Sequence, residues 1–218
     1  MKQNKKYVIG ITGGIGSGKS LALSYLQNKY GCFVIKADDI GNEVKLKGNP
    51  CFEPIVKLLG KDVLGDNGEI VKSLMAEKIF NDPVLVDKVN DIIHPAVRKE
   101  IQSLIRANSK DNKIFVIEAA LLVEADYFSL LNELWEINAD KETRIERLMS
   151  SRGYPREKCE SIIDLQHGTE YFKNASDEYL RKTARKDYYG FKVLNNNLTP
   201  DDLYKQIDEK MEEINGRF

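Results

Sequence analysis

The stretch Gly10-Ile11-Thr12-Gly13-Gly14-Ile15-Gly16-Ser17-Gly18-Lys19-Ser20 decides how this chain is read. Glycine weakens ordinary helices and strands, so such a density of it beside one lysine and one serine needs a chemical reason. Gly13 to Ser20 satisfies G-x-x-x-x-G-K-[ST] at every fixed position. The preceding apolar run, Tyr7 to Thr12, reads as a short buried strand, and Leu21 to Tyr30 has apolar positions suited to a helix packed on it. In that context the glycines let successive backbone N–H groups turn inward around phosphate oxygens, and the helix N-terminus adds partial positive charge. Lys19 is then placed for the β- and γ-phosphates of a nucleoside triphosphate, and the Ser20 hydroxyl for Mg²⁺.

Outward from this loop the chain alternates strand and helix. Gly31 reads as a helix stop, Cys32 to Ile35 as a second strand ending near Asp38, and Lys113 to Ile117 as another ending at Glu118. Leu134 to Ile137 and Phe191 to Leu194 are further strand candidates. Strands separated by helical segments imply βαβ units, hence an α/β fold with a parallel sheet flanked by helices. Between Asp39 and Asn112 the pattern is mainly helical, with starts or stops expected at Gly60, at Pro83 after Asn81 and Asp82, and at Pro95 after His94. A second helical stretch, Lys141 to about Lys186, is broken at Gly153 and Pro155 and suits a mobile cover. Thr199-Pro200-Asp201-Asp202 opens a final helix whose Leu203, Ile207, Met211 and Ile214 share one face.

Composition narrows the classes. The 218 residues can bury one real core, and 33 Lys plus Arg against 34 Asp plus Glu leave a net charge of −1, with no basic tail to track nucleic acid. The start, MKQNKKYVIGITGG, is too soon broken by glycine for a signal peptide, and no later run approaches a membrane span, which predicts a cytoplasmic protein. Cys32, Cys51 and Cys159 are widely spaced without a CxxC pair, so they read as reduced packing residues.

The phosphate loop alone does not choose between kinase, switch and motor. Asp38-Asp39-Ile40-Gly41 could serve as the DxxG of a GTPase, yet no NKxD guanine-reading motif occurs. Asp38, just past the second strand, suits either a base that takes the proton of an attacking hydroxyl and helps hold Mg²⁺, or a helix N-cap or surface charge. Glu118 fits an outer-sphere metal carboxylate as well as a lysine partner. His94 is one of only two histidines, and a capping or packing role suits it as well as a binding one. Glu124 either reaches into a cleft or returns to solvent. Arg144, Arg147, Arg152 and Arg156 lie on the expected cover, where a guanidinium can offset charge during phosphoryl transfer, although most arginines on such a helix are simply solvated.

Together, GITGGIGSGKS, Val34 to Asp38, Ile93-His94-Pro95, the EAALLVE segment Glu118 to Glu124, and Gln166 resemble the dephospho-CoA kinase family in this order and spacing. The resemblance implies a P-loop NTPase fold with a core at about 1–40, 112–140 and 187–218, a helical substrate-binding insertion at about 41–111, and a helical lid at about 141–186. It implies transfer of the ATP γ-phosphate to the ribose 3′-hydroxyl of dephospho-CoA, with ATP and Mg²⁺ as cofactors. Asp38 would be the base, Lys19 and Arg152 catalytic, and His94 and Glu124 part of the acceptor site. Gly14, Ile15, Gly16, Ser17, Gly18, Lys19, Ser20, Leu21 and Asn196 would hold the nucleotide, with Asn195 and Asn197 as rivals for the last. Leu21, Lys36 and Ala120 depart from the family's usual threonine, aspartate and proline. A nucleoside monophosphate kinase and a nucleotide-dependent switch are the other readings.

Overall fold

A computed structural model of the chain describes residues 6–80 and 82–218. Asn81, named above beside Pro83, lies outside the described residues. The chain forms two units, one made of residues 1–35 and 108–218 and the other of residues 36–107.

The first unit is built on a five-stranded sheet in the order β2-β3-β1-β4-β5: β1 (Tyr7–Thr12), β2 (Phe33–Lys36), β3 (Ile114–Glu118), β4 (Glu133–Asn138) and β5 (Phe191–Asn195). β1 is central and pairs in parallel with β3 and β4, and β4 pairs in parallel with β5. All six residues of β1 are buried, which explains its unbroken apolar run: a strand covered on both faces has no solvent side to mark. The order reverses around β1, whose connection leads toward one edge while that of β3 leads to the other. Such a switch opens a crevice beyond the carboxyl ends of these strands.

α1 (Lys19–Tyr30) and α9 (Pro200–Asn215) pack against the sheet. Thr199 and Asp202 form a reciprocal capping box with Pro200 at the first turn, and Leu203, Ile207, Met211 and Ile214 are fully buried in the core with Ala22, Leu26, Ile9 and Trp135. Tyr25, Lys29 and Tyr30 of α1 all donate to the carboxylate of Asp208 on α9. Gly31 ends α1 in the left-handed conformation, at φ 63°.

α6 (Lys141–Arg152), α7 (Arg156–Asp164) and α8 (Thr169–Thr183) belong to this unit too. Ile145, Leu148, Cys159 and Ile163 make a small separate core, on which Ile15 of the glycine loop packs. All three cysteines are free and buried, and burial pushes the Cys32 thiol up to about 12. No described helix is long and apolar enough to cross a membrane.

The second unit contains α2 (Ala37–Glu43), α3 (Phe52–Leu59), α4 (Lys72–Ile79) and nearly all of α5 (Pro83–Asn108). Gly60 ends α3, and Asp82 accepts a hydrogen bond from the Leu85 N–H at the start of α5. The boundary expected at Pro95 is absent: α5 runs through it, and His94 sits mid-helix. Proline removes one helical hydrogen bond and costs about 3 kcal/mol in a helix interior. Val89, Val97, Ile101 and Ile105 line a buried face on both sides of it, and burying four such side chains outweighs that cost. The Cys51 thiol donates to the Ile92 carbonyl in the turn before the proline.

One buried charge marks the sheet's far end. Glu133, 1% exposed, accepts from the Trp135 indole at 2.7 Å and lies 3.6 Å from Arg217, yet burial still raises its pKa. The folded chain therefore holds this proton more tightly than the unfolded one, so its contribution is favourable below about pH 4 and is lost as pH rises. Glu133→Gln should raise Tm at pH 7.5 by about 2–4 °C, the shift of about 1 kcal/mol in a domain this size, and the gain should vanish toward pH 4. Thermal unfolding of both proteins across pH checks this, and a pH-independent loss of stability would contradict it.

Candidate active site

The glycine loop connects β1 to α1. Gly13 and Gly18 hold φ values of 139° and 96°, which side chains rarely adopt. At Gly14 the constraint is space, because a Cβ there would collide with the guanidinium of Arg144. Gly14 and Gly16 thus leave room for Arg144 of α6 to lie against the loop.

Every carbonyl from Gly13 to Ser17 has a donor. The Lys19 ammonium folds back to Gly13 O at 2.6 Å and Gly14 O at 3.3 Å. Arg144 Nε donates to Ile15 O at 2.8 Å, Arg147 to Gly16 O at 3.4 Å and to Asn196 O at 2.8 Å, and Asn196 Nδ2 to Ser17 O at 2.8 Å. With its carbonyls committed to these cations and amides, the loop is a scaffold for presenting N–H groups to an anion. Burial lowers the pKa of Arg144, against the pull of Glu136. Glu136 is itself buried on β4, where burial raises its pKa against the Thr169 hydroxyl and Arg144.

A cavity of about 610 Å³ opens at the loop. Gly13, Gly14, Ile15, Gly16, Gly18, Lys19 and Ser20 line it, with Glu118 at the end of β3, Glu124 beyond that strand, and Arg152, Gln166 and His167 from the α6–α8 region. Glu124 accepts from the Tyr171 hydroxyl at 3.1 Å and lies 3.5 Å from His167 Nε2, whose ring stacks on Tyr171. Arg152 is exposed and has no hydrogen bond or ion pair to a described residue.

The four cover arginines therefore divide. Arg144 and Arg147 grip the loop backbone, Arg156 is spent on Glu142 and Glu160 at the surface, and Arg152 alone faces the cavity unpaired. Asn196 is buried beneath the loop, whereas Asn195 pairs with Gln206 and Asn197 with the Asp140 N–H. Leu21 packs its side chain onto the core, and Ser17 is buried with its hydroxyl unpaired.

Asp38 and His94 belong to the other unit. Asp38 is exposed in the first turn of α2 without a hydrogen bond or ion pair to a described residue. The N-cap there is Lys36, with no side-chain capping bond, so Asp38 is not the cap that the sequence allowed. His94 is half-buried on α5. Sequence reasoning gave no role to Glu136, Thr169 or Tyr171, since no motif ties them to a loop more than a hundred residues away.

The family model for dephospho-CoA kinase matches residues 7–186. The dephospho-CoA kinase of Dehalococcoides mccartyi is 36% identical, covering 90% of this chain and 91% of its own. That of Idiomarina loihiensis is 30% identical over 93% of this chain and 92% of its own. The crystal structure of TT1252 from Thermus thermophilus shares the fold, with a TM-score of 0.73 at 24% identity over 96% of this chain and 98% of that one. A matched region that spans both units, from β1 to beyond α8, means that the chain belongs to the dephospho-CoA kinase family, enzymes that phosphorylate dephospho-CoA with ATP in coenzyme A biosynthesis.

Proposed function

We propose that the phosphoryl acceptor is the ribose 3′-hydroxyl of dephospho-CoA and that the cavity at the glycine loop is where ATP is bound for transfer. The observation that carries this reading is one cavity lined by the loop, Lys19, Ser20, two carboxylates and an arginine that has no partner among the described residues. In it Lys19 leaves Gly13 O and Gly14 O for the β- and γ-phosphates, and Arg152 offsets the charge of the moving γ-phosphoryl group. The 3′-oxygen forms a bond to the γ-phosphorus as the β–γ bridging P–O bond breaks, ADP leaves, and the hydroxyl proton passes to Asp38. Among the described residues no cation pairs with Asp38, which leaves its lone pairs open as a base requires.

His94 and Glu124 would bind the acceptor, with Glu124 oriented by Tyr171 and His167. Gly14 to Ser20 would bind nucleotide chiefly through backbone N–H groups, and Leu21 and Asn196 would support the loop from the core side. Residues 36–107 would form the acceptor-binding insertion, and α6 to α8 the lid that excludes water, the competing acceptor. Among the described residues no group of three or more His, Cys, Asp or Glu gathers to cage a metal. Ser20 and Glu118 are instead oxygen donors on one cavity, a sparse set that fits Mg²⁺, which keeps several waters and binds through substrate phosphates. When bound, the ion would supply charge neutralisation on the phosphates.

Asp38→Asn should keep ATP affinity within about threefold and lower kcat by about 10²–10⁴, the usual worth of a general base, as read by ADP release with dephospho-CoA and by nucleotide titration. Near-normal turnover would remove Asp38 from the mechanism. Arg152→Ala should lower kcat by about 10³, while Arg156→Ala, which breaks only surface ion pairs, stays within about twofold. Equal losses in the two arginine variants would contradict the division of roles. Mass analysis of the product should show one added phosphate on dephospho-CoA and none on AMP.

A further inference from the structure

Gln166 stands on the connection between α7 and α8, and its side chain is exposed. An exposed glutamine is normally hydrated and mobile, but this one is held by two donors. Its Oε1 accepts from the Ile15 N–H at 2.9 Å and from Arg144 Nη2. One donor is an amide of the phosphate loop, and the other is a guanidinium held by its own Nε bond to Ile15 O. A backbone N–H and a guanidinium converging on one oxygen are what a phosphoryl oxygen recruits. Gln166 also lines the same cavity as Lys19 and Ser20.

We propose that Gln166 is a positioning residue for the γ-phosphate. Its amide oxygen holds the Ile15 N–H and the Arg144 guanidinium, and a γ-phosphoryl oxygen displaces it and takes both donors. ADP, which has no γ-phosphate, leaves the contact intact. Gln166 therefore sets the ratio of ATP to ADP affinity, and its release couples arrival of a triphosphate to the α7–α8 connection. This inference rests on the reading of Gly13–Ser20 as the phosphate site.

The test is calorimetric titration of the wild type, Gln166→Ala and Gln166→Glu with Mg²⁺ and either ADP or the β,γ-imido analogue of ATP. Alanine removes the competitor, so the triphosphate analogue should bind about 3–10-fold more tightly with ADP changed less than about twofold. Glutamate pairs with Arg144 as an ion and repels the incoming charge, so the analogue should bind at least about tenfold more weakly, again with ADP little changed. A merely structural role would move both nucleotides by the same factor. That result, or weaker binding of the analogue by the alanine variant, overturns the proposal. Failure of the wild type to bind either nucleotide would instead overturn the phosphate-site reading on which it rests.

Discussion

The architecture of the site depends on how the carbonyl groups of one tight loop are satisfied. A backbone wound around an anion turns its N–H groups inward, and the carbonyls on the other side of each peptide must then find donors or remain unpaired. Lys19, Arg144, Arg147 and Asn196 supply those donors between Gly13 and Ser17. Three of the four come from α6 or the end of β5, so the loop is shaped by segments far from it in sequence. Ile15 adds an apolar anchor by packing on the Ile145, Leu148, Cys159 and Ile163 cluster.

This arrangement ties the loop to α6. Arg144 and Arg147 lie one turn apart on α6 and reach successive carbonyls, which leaves Arg152, at the end of the same helix, to face the cavity. A lysine at either gripping position would supply one cation but lose the planar fork by which Arg144 spans Ile15 O and Gln166. The buried Glu136 beneath Arg144 is costly to desolvate, as its raised pKa reports. The Thr169 hydroxyl at the start of α8 and the Arg144 charge offset part of that cost.

The helical unit of residues 36–107 shows the opposite balance, in which tertiary burial overrides a local signal. Pro95 is a helix breaker by its own chemistry, yet α5 passes through it because its apolar face is buried on both sides. A reading of single residues could not weigh that, since the sum over Val89, Val97, Ile101 and Ile105 depends on what covers them.

The amino-acid sequence by itself determined the elements whose cause is local. Tyr7 to Thr12 is a strand because its run is almost wholly apolar, the chain turns between β1 and α1 because glycines permit the positive φ values there, and α9 begins at Thr199-Pro200 because a capping box and a proline start it. The boundaries of β3, β4 and β5 fall within a residue of where alternation and apolar runs put them. Of the candidate site, the motif named the residues from Gly13 to Ser20 that line one cavity, and the family resemblance named Glu124 on the same cavity, whereas the roles proposed for Asp38 and His94 come from the resemblance alone. Only the tertiary structure decided which of four arginines grips the loop and which faces the cavity, and which of three asparagines lies beneath Ser17. The reason is that these choices turn on donor geometry across 129 to 179 residues of chain, and neither residue type nor spacing carries that information until the sheet has brought β1, β4 and β5 side by side.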